Sequence, residues 1–249
     1  MSDTSPRSER GAERSTTERV LAVVGFTVVA GCVDVVTYVG LGKVFTANMT
    51  GNTVLLGIGL ATGDLGAAAR AGVALAGFVA GAVVVGAAVP VARHRRAVLQ
   101  VLTGELVLMS VLSAWWLTTG GESPTGALRY GLVALAGVAM GAQSGVVRHL
   151  DVPVNTTYIT GTWTALSAGA GSLLRGRRRQ AAERPSSSVA QQVVVVATYL
   201  AAAFGAAAAY QAFGARVAVL PPVLLLAAML PWLARPGFDG ASTSEGRSG

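Results

Sequence analysis

The sequence predicts an all-α integral membrane protein, a polytopic helical bundle with a two-fold internal repeat. Of the 249 residues, 52% are hydrophobic and only 12% are charged, whereas soluble domains carry about 25% charged residues. Between residues 20 and 235, apolar runs recur that are long enough to cross a bilayer. Two halves of this region also match each other in sequence, which indicates the repeat.

The distribution of polar residues predicts three segments. Residues 1–19 and 236–249 are rich in polar residues and are predicted to be disordered tails. Residues 20–235 form the predicted membrane domain, with a first repeat at 20–117 and a second repeat at 127–233. The link between the repeats contains glycines and a proline, which break helices.

The first repeat is predicted to contain helix A at 20–39, segment B at 49–63, a small polar turn at 64–70, helix C at 71–91 and helix D at 98–117. Helix A is an uncleaved first helix, because its apolar run exceeds the about 7–15 residues of a signal peptide. Helix C ends at Pro90, and the spacing of Gly77 and Gly81 suits close packing against another helix. Helix D ends at Trp115 and Trp116, where aromatic side chains favour the membrane interface.

The second repeat follows the same plan, with helix E at 127–147, segment F at 158–174, helix G at 189–213 and helix H at 217–233. Helix E ends at the basic residue Arg148, and Gly205 of helix G matches Gly81 of helix C. Pro221 and Pro222 interrupt helix H near its start. Segments B and F are short, and segment B would span only about 22 Å of a roughly 30 Å hydrocarbon layer.

Two polar segments occupy matching positions in the repeats. We call residues 45–53 the first island and residues 155–163 the second island. One constant shift along the chain pairs Thr46 with Thr156, Thr50 with Thr160, Gly51 with Gly161, Gly31 with Gly141 and Asp34 with Ser144.

Two ways of threading the chain through the membrane stay open. If segments B and F both cross, the chain has eight spans, and the basic cluster at 93–96 faces away from the N-terminus. If both segments are re-entrant, the chain has six spans in an inverted repeat. Every basic cluster then lies on the side of the N-terminus, as the positive-inside rule requires. We favour six spans with both termini cytoplasmic, and eight spans with local bilayer thinning are the alternative.

Four motifs identify a family resemblance: Gly31-x-x-Asp34, the first island, Gly141-x-Gln143 and the second island. Together they resemble the YoaK family of bacterial multi-pass inner-membrane proteins, and the resemblance extends over nearly the whole chain apart from the tails. Ser144 stands where a polar amide is expected. The resemblance implies an inner-membrane location and a domain of unknown function, and it implies no reaction.

Two acidic residues lie within predicted helices. A carboxylate at the centre of a membrane helix costs about 2.5–3.5 kcal/mol on insertion scales, so it usually faces the bundle interior and has a partner. Asp34 is therefore either a cation or proton site beside the first island, or a group that reaches water or caps a neighbouring segment. Glu105 lies closer to a helix start, and we expect it to snorkel or to pair locally with Arg96.

The two islands are predicted to form one solute site. Their hydroxyl, amide and glycine backbone groups can coordinate a cation or a polar solute. The same groups also pack helices and satisfy broken backbone, so a purely structural role stays open. Matching islands favour a site, because transporter sites lie at repeat interfaces in broken helices. The predicted solute-binding residues are Asp34, Thr46, Asn48, Thr50, Gly51, Asn52, Gln143, Ser144, Asn155, Thr156, Thr160 and Gly161.

The predicted function is that of a secondary transporter or channel-like permease for a small solute or ion, and the alternative is a non-transporting scaffold or assembly partner. We expect no enzyme. The sequence contains neither the nucleophile-elbow motif of hydrolases nor the zinc-binding helix of metalloproteases, and it has no phosphate-binding nucleotide loop. Cofactor and metal sites are not expected either, since Cys32 is the only cysteine.

The sequence also bears on the partners of the protein. The bilayer is expected, together with a small solute or ion. Nucleic acid is not expected despite the net charge of +7, because the arginines sit in tails and loops, where the positive-inside rule places them. A homo-oligomer is compatible with the sequence.

Overall fold

The computed structural model describes residues 6–87, 95–120, 122, 124–148, 167 and 186–233, and this described part contains helices and no strand. The second island and all of segment F except Ser167 lie outside the described residues. The helices are α1 Pro6–Gly40, α2 Met49–Thr62, α3 Leu65–Ala87, α4 Arg95–Thr118, α5 Gly126–Arg148, α6 Ser186–Phe213, a 3-10 helix Gly214–Val219 and α7 Leu220–Leu233.

Five helical stretches in the described part are long and apolar enough to cross a membrane. They agree with the predicted polytopic helical membrane protein, whereas α2, with 14 residues, falls short of that length. The stretches are Leu21–Gly40, Leu65–Ala87, Val98–Thr118, Gly126–Arg148 and Gln192–Leu230, the last of which includes α6, the 3-10 helix and most of α7.

Two helices begin earlier than the hydropathy pattern predicts. Helix α1 begins at Pro6 instead of residue 20, and α3 begins at Leu65 instead of residue 71. The start of α3 has a local cause, because Asp64 Oδ1 accepts a hydrogen bond from the backbone N–H of Ala67 at 2.9 Å. This is the geometry of an N-cap, so most of the segment predicted to be a polar turn is helical.

A reversal after α1 turns the chain back into the bundle. Gly42 has φ 90° and Lys43 has φ 62°, so two consecutive residues adopt left-handed backbone conformations. The Arg70 Nε atom donates to the carbonyl of Gly42 at 3.0 Å and holds the reversal against α3. The first island follows directly and packs against the inner face of α1.

One end of the bundle collects the ends of α1 and α4 and the starts of α3 and α5. Arg70 of α3 bonds to Gly42 after α1, and a Cβ placed on Gly42 would lie 3.4 Å from the Arg129 guanidinium of α5. Trp116, near the end of α4, covers Gly40 so closely that a Cβ there would lie 2.5 Å from its ring. Helix α1 therefore runs antiparallel to α3 and α5.

Helices α6 and α7 complete the bundle on the other flank of α1. A Cβ on Gly31 would lie 2.8 Å from the backbone oxygen of Tyr199 in α6. Near the start of the apolar part of α1, a Cβ on Gly25 would lie 3.0 Å from the Ala228 side chain in α7. Small residues at these points let the backbones approach closely, as is common between membrane helices.

Helices α3 and α5 form the closest pair in the described part, and they run parallel. A Cβ on Gly77 would lie 2.6 Å from the carbonyl oxygen of Ala134, and Gly81 faces Val138 in the same register one turn later. The packing role predicted for these two glycines is confirmed. Around this pair, the core is filled by large side chains from α1, α4 and α7, such as Phe26, Leu102, Met109 and Leu225.

Candidate functional site

Asp34 of α1 is the side chain around which the first island is folded. Its side chain is only 2% exposed, and its Oδ1 atom accepts hydrogen bonds from the backbone N–H groups of Thr46 at 2.8 Å and Ala47 at 2.7 Å. A third, longer bond comes from the backbone N–H of Asn48 at 3.4 Å. Successive N–H groups that converge on one anion form a nest, here built around a side chain of the same protein.

Tyr199 of α6 supplies the other oxygen of Asp34 with a donor. The Tyr199 hydroxyl donates to Asp34 Oδ2 at 2.6 Å, so both carboxylate oxygens have partners. Nearby, the Thr37 hydroxyl donates to the carbonyl of Val33 at 2.9 Å and lies 3.5 Å from the hydroxyl of Thr46. Of the two interpretations left open for Asp34, this geometry matches the cap of a neighbouring segment.

Two asparagines hold the backbone of the first island. Asn48 is the N-cap of α2, and its Oδ1 atom accepts from the backbone N–H of Gly51 at 3.1 Å. Asn52 is fully buried and binds the backbone of Phe45 twice: its Nδ2 donates to the carbonyl at 2.6 Å, and its Oδ1 accepts from the N–H at 3.0 Å. The amide groups of the island are therefore engaged within the island itself.

The ring of Phe45 and two small residues complete the first island. A Cβ on Gly51 would lie 2.9 Å from the Phe45 ring, so glycine allows the ring to pack there. The same ring stacks on Tyr38 with a centroid distance of 5.1 Å. Thr50 is exposed, and its side-chain hydroxyl makes no hydrogen bond to the residues that the structure describes.

A second polar group lies between α4 and α5. Gln143 Nε2 donates to Glu105 Oε1 at 2.8 Å, and the two side chains are 0% and 2% exposed, respectively. The expectation that Glu105 snorkels towards the membrane surface is wrong, because α4 places it on the face that packs against α5.

Three oxygens of Glu105, Gln143 and the residue after Gln143 on α5 are buried without a hydrogen-bond partner within the described part of the chain: Glu105 Oε2, Gln143 Oε1 and Ser144 Oγ. Buried side-chain polar atoms almost always have a partner, so each exception needs a physical reason. Ser144 is the residue that the sequence repeat pairs with Asp34.

The predicted site residues thus divide into three sets. Asp34, Thr46, Asn48 and Asn52 come together in the first island. Gln143 lies with Glu105, and no hydrogen bond between described residues joins these two groups. Thr50 and Gly51 also belong to the first island, and Ser144 follows Gln143 on α5. The third set, Asn155, Thr156, Thr160 and Gly161, lies outside the described residues. The joint site between the islands therefore stays a prediction.

Residues 6–87, 95–120, 124–148 and 186–233 contain no group of three or more His, Cys, Asp or Glu side chains that could hold a metal ion. Cys32 is a free, buried cysteine.

The comparisons with known proteins agree with the fold. The family described as "Protein of unknown function (DUF1275)" matches residues 22–231. The chain belongs to this family. It is also similar to the UPF0700 transmembrane protein YoaK of Bacillus subtilis (strain 168), with 32% identity over 141 residues, which are 55% of this chain and 60% of that protein. The match thus spans less than two thirds of the curated relative, and no solved structure matches significantly.

These comparisons confirm the resemblance to the YoaK family and the location in a membrane. They assign no activity, since the DUF1275 description states that the function is unknown. The chemistry of this DUF1275 protein must therefore be inferred from its own polar groups.

The sequence did not reveal the role of Tyr199 or the burial of Glu105 in this DUF1275 protein. Tyr199 carries an isolated hydroxyl group in the apolar run of α6, and this isolation was the available signal. Its partner on α1 is 165 positions away in the chain, so the sequence did not reveal the pair. Glu105 was noticed, but its burial depends on which face of α4 packs against α5, and the sequence pattern did not define that face.

Proposed function

We propose that this DUF1275 protein is a secondary transporter or channel-like permease for a small solute or ion. The observation that carries this proposal is the set of bare buried oxygens on Glu105, Gln143 and Ser144. Ionisable and polar groups inside membrane spans are costly and usually mark substrate or ion pathways. Acceptors that are held in the bundle without a donor are suited to a ligand that comes and goes.

We further propose six spans arranged as an inverted repeat. The start of α2 lies at the depth of Asp34, because Asn48 contacts that carboxylate. Its end joins α3 through a short turn at Gly63 and Asp64, close to where Arg70 meets the end of α1. This path supports a re-entrant α2 that dips into the bundle and returns to the same face.

The packing of the described helices supports the repeat. Helix α1 of the first half contacts α6 of the second half at Gly31, and α5 of the second half contacts α3 of the first half at Gly141. These two glycines are the pair that the sequence shift superposes. Each half thus uses the same small residue against the corresponding helix of the other half, as an inverted repeat requires.

The location and partners belong to the same proposal. Positive-inside counting favours the bacterial inner membrane, with both termini in the cytoplasm. The bilayer and a small solute or ion are the proposed partners, and neither an enzymatic reaction nor nucleic-acid binding is part of the function. A homo-oligomer is compatible with this arrangement.

A scaffold or assembly role is the second candidate, and a specific observation favours it. The carboxylate of Asp34 and the amides of Asn48 and Asn52 are bonded within the first island or to α6. Such groups knit helices together and leave few donors or acceptors for a solute. This role requires that the bare oxygens between α4 and α5 bind nothing.

Transport is tested by measuring currents on solid-supported membranes that carry the full-length protein. Panels of alkali-metal salts, amino acids, sugars and organic acids serve as probes. We expect at least one probe to evoke a current that Gln143→Leu and Ser144→Ala reduce at least tenfold. Thr62→Ala, on the exposed end of α2, is the matched control and should not change it. A wild-type protein that responds to no probe would support the scaffold.

Topology is tested with single cysteines at Asp64 and Arg95 in a Cys32→Ser background. Six spans place Arg95 on the side of the N-terminus and Asp64 on the opposite side. Eight spans reverse both positions, so labelling from each side of the membrane separates the two arrangements.

A further inference from the structure

Among the described residues, Glu105 and Gln143 form fewer hydrogen bonds than their buried polar atoms allow. One bond joins them, from Gln143 Nε2 to Glu105 Oε1 at 2.8 Å. On the same two side chains, Glu105 Oε2 and Gln143 Oε1 are buried with no partner in the described part of the chain. Both bare atoms are acceptors when the carboxyl group is ionised, so neither can bond to the other without an added hydrogen.

We propose that Glu105 and Gln143 form a binding site for one proton. A carboxylic acid and a carboxamide are planar groups of matching size, and they can pair through two hydrogen bonds. The first of these bonds is present, and a proton on Glu105 Oε2 would supply the second by donating to Gln143 Oε1. Release of that proton leaves a carboxylate that keeps the bond from Gln143 Nε2.

The charged residues of the helices around the pair favour a bound proton, and not a permanent counter-ion, as the partner of Glu105. Helices α5 and α7 and the 3-10 helix pack against α4, and α7 carries no titratable residue. The titratable residues of the other two elements are Arg129, Tyr130, Arg148 and Arg216, and none of them bonds to Glu105. Arg148 is exposed at the end of α5.

The other charged residues that bear on the pair are the arginines at the start of α4 and the buried carboxyl group of Asp34. Helix α4 itself begins with Arg95 and Arg96, whose side chains lie outside the described residues. The other buried carboxyl group of the bundle, Asp34, is already bound to the first island and Tyr199. Among the side chains that the structure describes, a charged Glu105 would therefore have no opposite charge to pair with, and an unpaired charge in an apolar interior is costly.

A metal ion fits these groups less well than a proton. Hard cations such as Ca²⁺ take about six to eight oxygen ligands, whereas this group offers two bare oxygens and the Ser144 hydroxyl. A proton needs only one oxygen to carry it and one acceptor, and the two side chains that a hydrogen bond already joins have one bare oxygen each.

The proton-binding site stands on the buried pair alone. Its use as the coupling ion of a transporter rests on the proposed function. Protonation would switch the pair between two bonds and one, so that α4 and α5 are held together more firmly in the protonated state.

Infrared difference spectroscopy of the full-length protein in phosphatidylcholine vesicles tests the site. We expect acidification to produce the C=O stretching band of a protonated carboxyl group, and alkaline pH to remove it. Glu105→Gln should abolish the band, and Asp34→Asn should retain it. Gln143→Leu should move the band to higher frequency, because the carboxyl C=O loses its hydrogen bond.

Other outcomes would overturn the proposal. These are a band that is unaffected by Glu105→Gln, a band that does not respond to pH, and a band that NaCl removes at constant pH, since the last result would indicate a metal cation. If Glu105→Gln fails to fold, as judged by gel filtration, the frequency shift in Gln143→Leu decides the question.

The two proposals fail separately. A protein with a pH-sensitive Glu105 band and no solute-evoked current retains the proton site and loses the transport function. A protein that carries current while Glu105 shows no pH response retains the function and loses the proton site.

Discussion

Two carboxyl groups are buried in the same bundle, and they differ in how many donors surround them. Asp34 receives three backbone N–H groups and the hydroxyl of Tyr199. Glu105 receives one side-chain N–H, from Gln143, and keeps one oxygen bare within the described residues. Both side chains are 2% exposed, so burial alone does not distinguish them.

The difference shows how a membrane protein can use the same chemical group in two ways. Hydrogen bonds to the charged form stabilise a carboxylate, and four donors offset much of its cost of burial. Asp34 is therefore suited to hold a permanent structure. Glu105 has too few donors for a stable charge, which suits a group whose protonation changes during function.

The largest expected effect comes from removing the Asp34 carboxylate. Asp34→Leu leaves three N–H groups and the Tyr199 hydroxyl without their acceptor. Since hydrogen bonds to charged groups contribute about 1.5–3 kcal/mol each, we expect the free energy of unfolding to fall by at least about 3 kcal/mol. Denaturant titration in detergent micelles, followed by circular dichroism, measures this change.

Asp34→Asn is the conservative comparison, because the amide keeps an acceptor for the island, and it should cost less than Asp34→Leu. If Asp34→Leu is as stable as the wild type, the island is not held by this carboxylate.

A smaller loss is expected for Tyr199→Phe, which removes one hydroxyl and keeps the ring. Asp34 Oδ2 then loses its donor, and the stability should fall by about 1.5–3 kcal/mol. The control is Tyr210→Phe on the same helix, because the Tyr210 hydroxyl makes no hydrogen bond to the described residues. Equal effects of the two substitutions in the same unfolding assay would contradict the assigned role of Tyr199.

Asn48→Ala should cost about 1 kcal/mol, the typical value for an N-cap. The substitution removes the acceptor for the N–H of Gly51 and leaves the nest around Asp34 in place. Thr50→Ala, two residues along the chain and exposed, is the control and should change stability little. A loss as large as that of Asp34→Leu would mean that the nest depends on the cap.

The smallest expected effect on stability belongs to Glu105→Gln. A glutamine can accept from Gln143 Nε2 and donate to Gln143 Oε1, so it reproduces the protonated pair. We expect a change of less than about 1 kcal/mol, measured by the same unfolding titration. A loss comparable to that of Asp34→Leu would show that Glu105 is a structural carboxylate, and the contrast between the two groups would disappear.

The sequence predicted the parts of this structure that depend on local composition. The lengths of the apolar runs placed the helices, and the spacing of Gly77 and Gly81 predicted a close helix contact that the structure confirms. Asp34 was singled out because a carboxylate inside a span needs a partner, and the island that supplies the donors follows shortly after it in the chain.

The missed features depend on tertiary structure. The bond from Tyr199 to Asp34 requires α1 and α6 to lie side by side, and the burial of Glu105 requires one particular face of α4 to meet α5. An apolar helix in a membrane shows no polar stripe that would reveal such a face. The start of α3 was missed for a local reason, because Asp64 was interpreted as part of a turn, whereas it caps the helix.

The wide separation of Tyr199 from Asp34 has a consequence for how the protein is made. Synthesis proceeds from the N-terminus, so α1 and the first island leave the ribosome long before α6. The N–H groups that bind Asp34 Oδ1 come from the adjacent reversal and are present as soon as α2 inserts. The hydroxyl for Oδ2 arrives only with α6. The first half can therefore adopt its local shape early, and the arrival of α6 fastens it to the second half.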